Sequence, residues 1–236
     1  MSLKKNVLAH VPHSELTTKI WDKNKKMLSN FREALLRISD EFVKYLGIDL
    51  DVVDVIMTGS YANYNYTSYS DIDLHVVIDF DSINDDSDLV EEFFNAKRSF
   101  WNNRHDIELR GVEVELYPQD EKETHASSGV YSITNDDWVT EPRKFRTQID
   151  VDSILRKSEK IQKEINIAIR DAKEENSTDP VNNSIKKIKK MRKSGLERAG
   201  ELSDENIVYK VIRSKGLLQA LFDTRDNIKD KNLSKL

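Results

Sequence analysis

Residues 58–80 read TGSYANYNYTSYSDIDLHVVIDF, and this stretch decides the expected fold. Gly59 and Ser60 follow a short β-branched run, and Asp71 and Asp73 come at the head of a second apolar run, twelve residues after Gly59. Short β-branched and apolar runs bounded by turn residues are typical of strands. Two carboxylates this close repel each other. The pattern therefore predicts two strands and a cation beside the aspartates.

The aspartates are predicted metal ligands because side chains alternate along a strand. Asp71, Asp73 and His75 share one face, and the apolar residues between them share the other. Carboxylates two residues apart can bend to bind metal ions that lie roughly 3.5 to 4 Å from each other. Such hard oxygen ligands suit Mg²⁺. We expect two Mg²⁺ ions at this site, with Mn²⁺ as the alternative metal.

A third strand is predicted at residues 107–118, IELRGVEVELYP, which alternates strictly from its sixth residue and ends in a proline. Glu113, Glu115 and Tyr117 point to the same side of this strand. If the strand neighbours the one that carries the aspartates, one of the two glutamates completes a three-carboxylate cluster. The alternation itself leaves open which glutamate does so.

Gly59 and Ser60 are the predicted nucleotide-binding residues. A glycine directly after a strand lets the backbone approach a ligand closely, and a following helix would offer its unpaired N–H groups to an anion. The hydroxyl of Ser60 adds a donor. The complete pattern therefore predicts an NTP substrate, held at its phosphates by this turn and at its reacting phosphorus by metal on the aspartates.

The rest of the chain predicts an α+β core between an N-terminal helix and a helical C-terminal region. The expected domains are residues 1–50, 51–148 and 149–236. Apolar residues at helical spacing, alternating runs and turn residues predict the elements. The expected helices are 15–46, ending at Gly47, then 89–104, 151–172, 184–198 and 204–222, with Gly216 as a break; the expected strands are 52–58, 73–80, 107–118 and 129–134.

Composition excludes several classes of function. The 236 residues contain no cysteine, which excludes disulfides, thiolate metal sites and cysteine nucleophiles. The N-terminus has no apolar signal region, and no apolar run approaches the roughly 18 residues of a membrane span. We therefore expect an intracellular, cytoplasmic protein without a membrane partner.

Charge is unevenly distributed along the chain. Residues 1–150 carry 17 Lys and Arg against 28 Asp and Glu, whereas residues 151–236 carry 20 against 14. The run KKIKKMRK at residues 186–193 holds six of these basic residues. It would either bind phosphate or a nucleic-acid acceptor, or form the solvated side of an amphipathic helix.

The stretch from Gly59 to Leu74, GSYANYNYTSYSDIDL, closely resembles the signature of nucleotidyltransferases related to DNA polymerase beta. The resemblance covers roughly residues 50–118 and implies an α+β fold with a mixed sheet flanked by helices. It also implies transfer of an NMP from an NTP to an acceptor hydroxyl, with release of pyrophosphate. In this family three carboxylates bind two metal ions, and here they would be Asp71, Asp73 and Glu115.

One departure concerns Tyr64, where many members of the family have glycine. Tyr64 belongs to a series of tyrosines and asparagines at residues 61–69, whose rings are candidates for stacking on a base. The flanking regions resemble nucleotidyltransferase-like proteins of bacteriophages. The acceptor stays open between RNA, a small molecule, a protein and another nucleotide.

Two alternative functions stay open beside nucleotidyl transfer. One is a nucleotide-binding or interaction module that has lost turnover. The other is an alarmone-type pyrophosphotransferase, since residues 112–131 faintly resemble the synthetase strand of that group. The two kinds of enzyme differ in which phosphate of the donor labels the acceptor.

Overall fold

The computed structural model describes residues 2–124, 127–145 and 149–235. The chain divides into two compact units. One is an α/β unit of residues 12–145, and the other is a helical unit of the described residues before Pro12 and after Phe145. The division differs from the expected domains at the N-terminus, where the first eleven residues belong to the helical unit.

A mixed sheet forms the centre of the α/β unit, and in the described residues it has six strands in the order β3-β4-β2-β1-β5-β6. Neighbouring strands are antiparallel except β2 and β4, which are parallel. The strands are β1 (Val52–Thr58), β2 (Ile72–Ile78), β3 (Glu108–Leu109), β4 (Val112–Asp120), β5 (Val130–Ser132) and β6 (Asp137–Thr140). The predicted α+β fold is confirmed.

Helices α2 (Ser29–Leu46) and α3 (Ser87–Arg104) cover one face of this sheet. Buried side chains of both helices join those of the strands in one core. This apolar face contains Met57, Ile72, Leu74 and Leu116, each fully buried. Their burial stabilises the unit by roughly 1.5 to 3 kcal/mol per large side chain.

The predicted helix at 15–46 is wrong in its first half, because α2 begins only at Ser29. The carboxylate of Asp22 accepts the backbone N–H groups of Asn24 and Lys26, and Lys25 has a φ of 60°. A side chain that bonds nearby backbone in this way competes with helix formation. The predicted end of the helix is confirmed at Gly47, which has a φ of 73°.

The single strand predicted at 107–118 is a hairpin of β3 and β4. Arg110 and Gly111 connect the two strands with φ values of 52° and 72°. Two successive positive φ values are typical of the tight turn that joins antiparallel strands. Pro118 lies within β4, which continues to Asp120.

Beyond the short strand β3, the outer edge of β4 is covered by a side chain of α3. The side-chain amide of Asn102 donates to the carbonyl oxygen of Leu116 at 3.1 Å, and its oxygen accepts the N–H of Leu116 at 3.2 Å. One asparagine thus satisfies both backbone groups of Leu116 at this edge.

The helical unit has its own core. The predicted helices exist, but the second begins five residues earlier than expected because Pro180 is accommodated in its first turn. The predicted break at Gly216 is confirmed, since its φ of 71° separates two helices. The unit consists of α1 (Leu3–Leu8), α4 (Val151–Glu175), α5 (Asp179–Ala199), α6 (Asp204–Ser214) and α7 (Leu217–Leu233).

In residues 2–124, 127–145 and 149–235, no helix has both the length and the apolar character needed to cross a membrane.

Candidate active site

The face of the sheet opposite the apolar face carries polar side chains on three neighbouring strands. Parallel pairing of β2 with β4 places Asp73 beside Glu115 and His75 beside Tyr117. Pairing of β1 with β2 places Thr58 on the other side of Asp73. Neighbouring strands lie about 4.8 Å apart, so these residues are direct neighbours. We call these five residues the polar face.

Alternation along β2 separates the two faces. Ile72 and Leu74 are fully buried in the core. Asp73 and His75, which alternate with them along the strand, are only half-buried. The predicted strand therefore delivers its carboxylate to the side that is away from the core. The hydroxyl of Thr58 and Nε2 of His75 lie 3.0 Å apart, in hydrogen-bond contact across β1 and β2.

The other two predicted carboxylates differ in exposure. Asp71 is half-buried just before β2 begins, whereas Glu113 is exposed and faces Glu108 across the hairpin. Although Glu113 is exposed, neighbouring atoms partly remove water from its carboxylate and raise its pKa, and the negative charges of Glu115 and Asp71 raise this pKa further. Negative charge is therefore concentrated at this end of the strands, and a bound cation would relieve the repulsion.

Gly59 lies directly beneath the carboxylate of Asp73. It has a φ of 71° and a ψ of −160°, a combination that only glycine adopts without strain. A Cβ at this position would lie 1.7 Å from Oδ2 of Asp73. The expected helix after the glycine is wrong, because only a short 3-10 turn, Ser60–Ala62, follows it. The donors available to a phosphate are therefore those of the turn itself.

Asn63 fixes this turn, and sequence reasoning missed its role. Its side-chain amide donates to the carbonyl oxygen of Gly59 at 2.6 Å and to the hydroxyl of Ser127 at 3.1 Å. Its side-chain oxygen accepts from the hydroxyl of Ser128 at 2.7 Å. Asn63 is 4% exposed. One buried amide therefore connects the turn to the loop that precedes β5.

The tyrosines expected to stack on a base are largely structural. Tyr61 and Tyr64 are buried, and the hydroxyl of Tyr61 donates to the carbonyl oxygen of Thr67 at 3.2 Å. The ring of Tyr66 stacks on the ring of His13, with 3.9 Å between centroids. The base-stacking prediction is wrong for these rings, because their faces already pack against the protein.

Tyr117 contacts a carboxylate through its hydroxyl and a cationic side chain through its ring. The hydroxyl of Tyr117 donates a hydrogen bond to Oε2 of Glu115. Burial raises the pKa of Tyr117, and the hydrogen bond to Glu115 raises this pKa further, so the hydroxyl keeps its proton. The guanidinium carbon of Arg98 lies 5.1 Å from the centre of the tyrosine ring.

The donor chemistry of these carboxylates fits a hard divalent cation. Asp71, Asp73 and Glu115 offer only oxygen, the atom that Mg²⁺ and Mn²⁺ prefer in proteins. In the part of the chain that the structure describes, no group of three or more His, Asp or Glu side chains could hold a metal ion in its present arrangement. The fit therefore rests on the kind of donors and on the register of Asp73 with Glu115.

The basic run at 186–193 lies in the helical unit, on α5. Its apolar residue Ile188 is buried, whereas Lys186, Lys189 and Lys190 are exposed. Lys187 forms an ion pair with Glu164 at 2.7 Å. This arrangement is that of an amphipathic helix, with a basic surface on its outer side.

Residues 36–136 match the family model described as the nucleotidyltransferase domain. The match includes β1, the glycine turn, β2 and β4, and therefore all the candidate site residues. No curated protein and no solved structure matches the chain.

Proposed function

We propose that the nucleotidyltransferase domain at residues 36–136 transfers an NMP from an NTP to an acceptor hydroxyl and releases pyrophosphate. The observation that carries the proposal is the register of Asp73 with Glu115 above the turn at Gly59. It combines two neighbouring carboxylates with a glycine turn, and the missing Cβ of this glycine leaves room for the carboxylate of Asp73.

In the proposed reaction, backbone N–H groups at Gly59 and Ser60 and the serine hydroxyl bind the phosphates of the donor. Asp71, Asp73 and Glu115 would hold the divalent metal. When bound, this metal neutralises charge on the phosphates and lowers the pKa of the acceptor hydroxyl. Glu115 orients this hydroxyl for attack on the α-phosphate. Positioning of two reactants in this way supplies a large part of the rate enhancement.

The test is incubation of the purified protein with each α-labelled NTP, Mg²⁺ or Mn²⁺, and a mixed pool of cellular RNA, protein and metabolites. We expect label in an acceptor fraction, and that fraction identifies the class of acceptor. The control is an Asp71→Ala, Asp73→Ala double variant, in which we expect no transfer. Equal labelling by this variant would contradict the site assignment.

A parallel incubation with γ-labelled NTP separates nucleotidyl from pyrophosphoryl transfer. Nucleotidyl transfer leaves the γ-label in pyrophosphate, whereas pyrophosphoryl transfer moves it to the acceptor. A γ-labelled acceptor would therefore replace the proposed reaction with that of a pyrophosphotransferase. Metal-dependent NTP binding without any transfer would favour a binding module.

A further inference from the structure

We infer that Tyr117 is a positioning residue that fixes the orientation of the Glu115 carboxylate, through the hydrogen bond from its hydroxyl. This inference rests on the proposed function, since it assigns to Glu115 a part in metal and acceptor binding. Tyr117 itself needs no contact with substrate. It acts on the reaction only through the glutamate.

The hydrogen bond joins two residues of the same strand face. Tyr117 follows Glu115 by two positions on β4, so both side chains leave the sheet on the polar face. The tyrosine hydroxyl donates to Oε2 of the glutamate. Hydrogen bonds from a neutral donor to a charged carboxylate are stronger than those between two neutral groups. The bond therefore selects one orientation of a side chain that otherwise has several rotamers.

The ring of Tyr117 is itself held in place from two elements. The ring of His75, the neighbouring residue on β2, stacks with it at a centroid distance of 5.1 Å and an interplanar angle of 22°. The guanidinium of Arg98 on α3 lies near the ring, in the range of a cation–π contact. Contacts from β2 and α3 thus give the hydroxyl a defined position.

A fixed carboxylate has a chemical consequence at this site. With Oε2 bonded to Tyr117, the direction of Oε1 is also set, because the carboxylate is planar. Groups that orient a metal ligand or a catalytic carboxylate typically change metal affinity or activity by 10- to 100-fold when they are removed. Tyr117 is thus expected to affect kcat and metal affinity more than the KM for the nucleotide.

The experiment compares Tyr117→Phe with the wild type, since phenylalanine keeps the ring contacts and removes only the hydroxyl. We expect about a tenfold lower kcat, an NTP KM within about twofold, and about a tenfold weaker affinity for Mn²⁺. Mn²⁺ affinity is measured by the electron paramagnetic resonance signal of the free ion, without nucleotide, and is independent of turnover.

The matched control is Tyr131→Phe on β5. The hydroxyl of Tyr131 also donates to a carboxylate, that of Asp136 at 2.7 Å, but from a fully buried ring outside the polar face, and it accepts the N–H of Met27 as well. We expect this control to lose at least as much stability as Tyr117→Phe but to keep wild-type kcat and Mn²⁺ affinity. Equal losses in both variants would overturn the inference, because they would reflect a general structural effect.

A Glu115→Ala background tests whether Tyr117 acts through the glutamate, because alanine removes the carboxylate that accepts the hydrogen bond. There we expect Tyr117→Phe to change Mn²⁺ affinity no further, whereas a full additional loss would overturn the inference. If the wild type transfers label and Tyr117→Phe keeps the wild-type kcat and Mn²⁺ affinity, the inference is overturned and the proposed function stands. If the wild type transfers no label but its Mn²⁺ affinity depends on Tyr117, only the proposed function is overturned.

Discussion

The two faces of β2 consist of alternating residues of one strand, yet they differ in almost every physical property. Leu74 is fully buried among the side chains of α2, α3 and the neighbouring strands. Asp73, one residue before it, is half-buried beside Glu115 and above a glycine. The apolar face stabilises the domain, whereas the polar face concentrates like charges that oppose folding. Stability and activity should therefore respond to different residues of the same strand.

The largest effect is expected from Asp73→Asn, which removes the charge but keeps the size of the side chain. We expect transfer to fall by about a hundredfold to a thousandfold, as for loss of a major electrostatic group at a reacting centre. The free energy of unfolding should not decrease, because repulsion with Glu115 is relieved. Activity assays and urea unfolding measure the two quantities.

The matched control for this prediction is Asp81→Asn. Asp81 is exposed and pairs with Lys122 away from the polar face. We expect wild-type activity from this variant. If Asp73→Asn stayed active, or if it unfolded the domain, the separation of stability on the apolar face from activity on the polar face would be disproved.

Leu74→Ala tests the apolar face. Removing a fully buried leucine side chain typically lowers the free energy of unfolding by about 2 to 5 kcal/mol. We expect this loss in urea unfolding, together with near wild-type kcat per folded molecule at low temperature. A selective loss of kcat in a stably folded variant would show that the two faces are coupled.

Gly59→Ala affects both properties, since the glycine lies under Asp73. We expect loss of transfer, because the new Cβ would displace the carboxylate, and a lower free energy of unfolding by about 2 kcal/mol from clash and strain. Thermal unfolding and the labelling assay measure these changes.

Gly111→Ala is the control that isolates backbone strain. Gly111 also has a positive φ, of 72°, but a Cβ there would meet no atom within 4 Å. We expect a destabilisation of about 1 kcal/mol and unchanged transfer. If the two glycine variants behaved alike, contact with Asp73 would not explain the effect at Gly59.

The smallest effect on folding is expected on α5, where the same contrast between a packed and a solvated face recurs. Replacing Lys189 and Lys190 by glutamate should change the free energy of unfolding by less than about 0.5 kcal/mol, because both side chains are exposed. The same double change should weaken binding of a polyanion such as homopolymer RNA and reduce its dependence on salt. Unchanged affinity would show that the basic run at 186–193 is only the solvated side of a helix and binds no polyanion.

Much of the sheet could be predicted because its signals are local. Alternation and β-branched residues predicted β1 and β2, and the spacing from Gly59 to Asp71 predicted the site region. The hairpin of β3 and β4 was missed, because the alternation from Val112 was extended back to residue 107 across the turn at Arg110 and Gly111. The late start of α2, at Ser29 and not at residue 15, depends on the carboxylate of Asp22, which competes with helix formation through local hydrogen bonds.

Other features depend on contacts between distant parts of the chain. The amide of Asn63 connects to Ser127 and Ser128, more than sixty residues away. Arg98 reaches Tyr117 from a different element. The tyrosines around Tyr64 have the composition of a base-binding surface, but Tyr61 and Tyr64 are buried in the protein. Periodicity predicts which face a residue occupies, and it contains no information about which distant residue meets it there.

The pairing of Asn102 with Leu116 has a consequence for encounters between molecules. An uncovered strand edge is a template on which another chain can add a strand, the first step of many aggregates. At Leu116 the N–H and the carbonyl oxygen are already engaged by an asparagine of the same chain. Addition of a strand from another molecule there would first have to break two intramolecular hydrogen bonds. Asn102 of α3 therefore disfavours self-association at this edge.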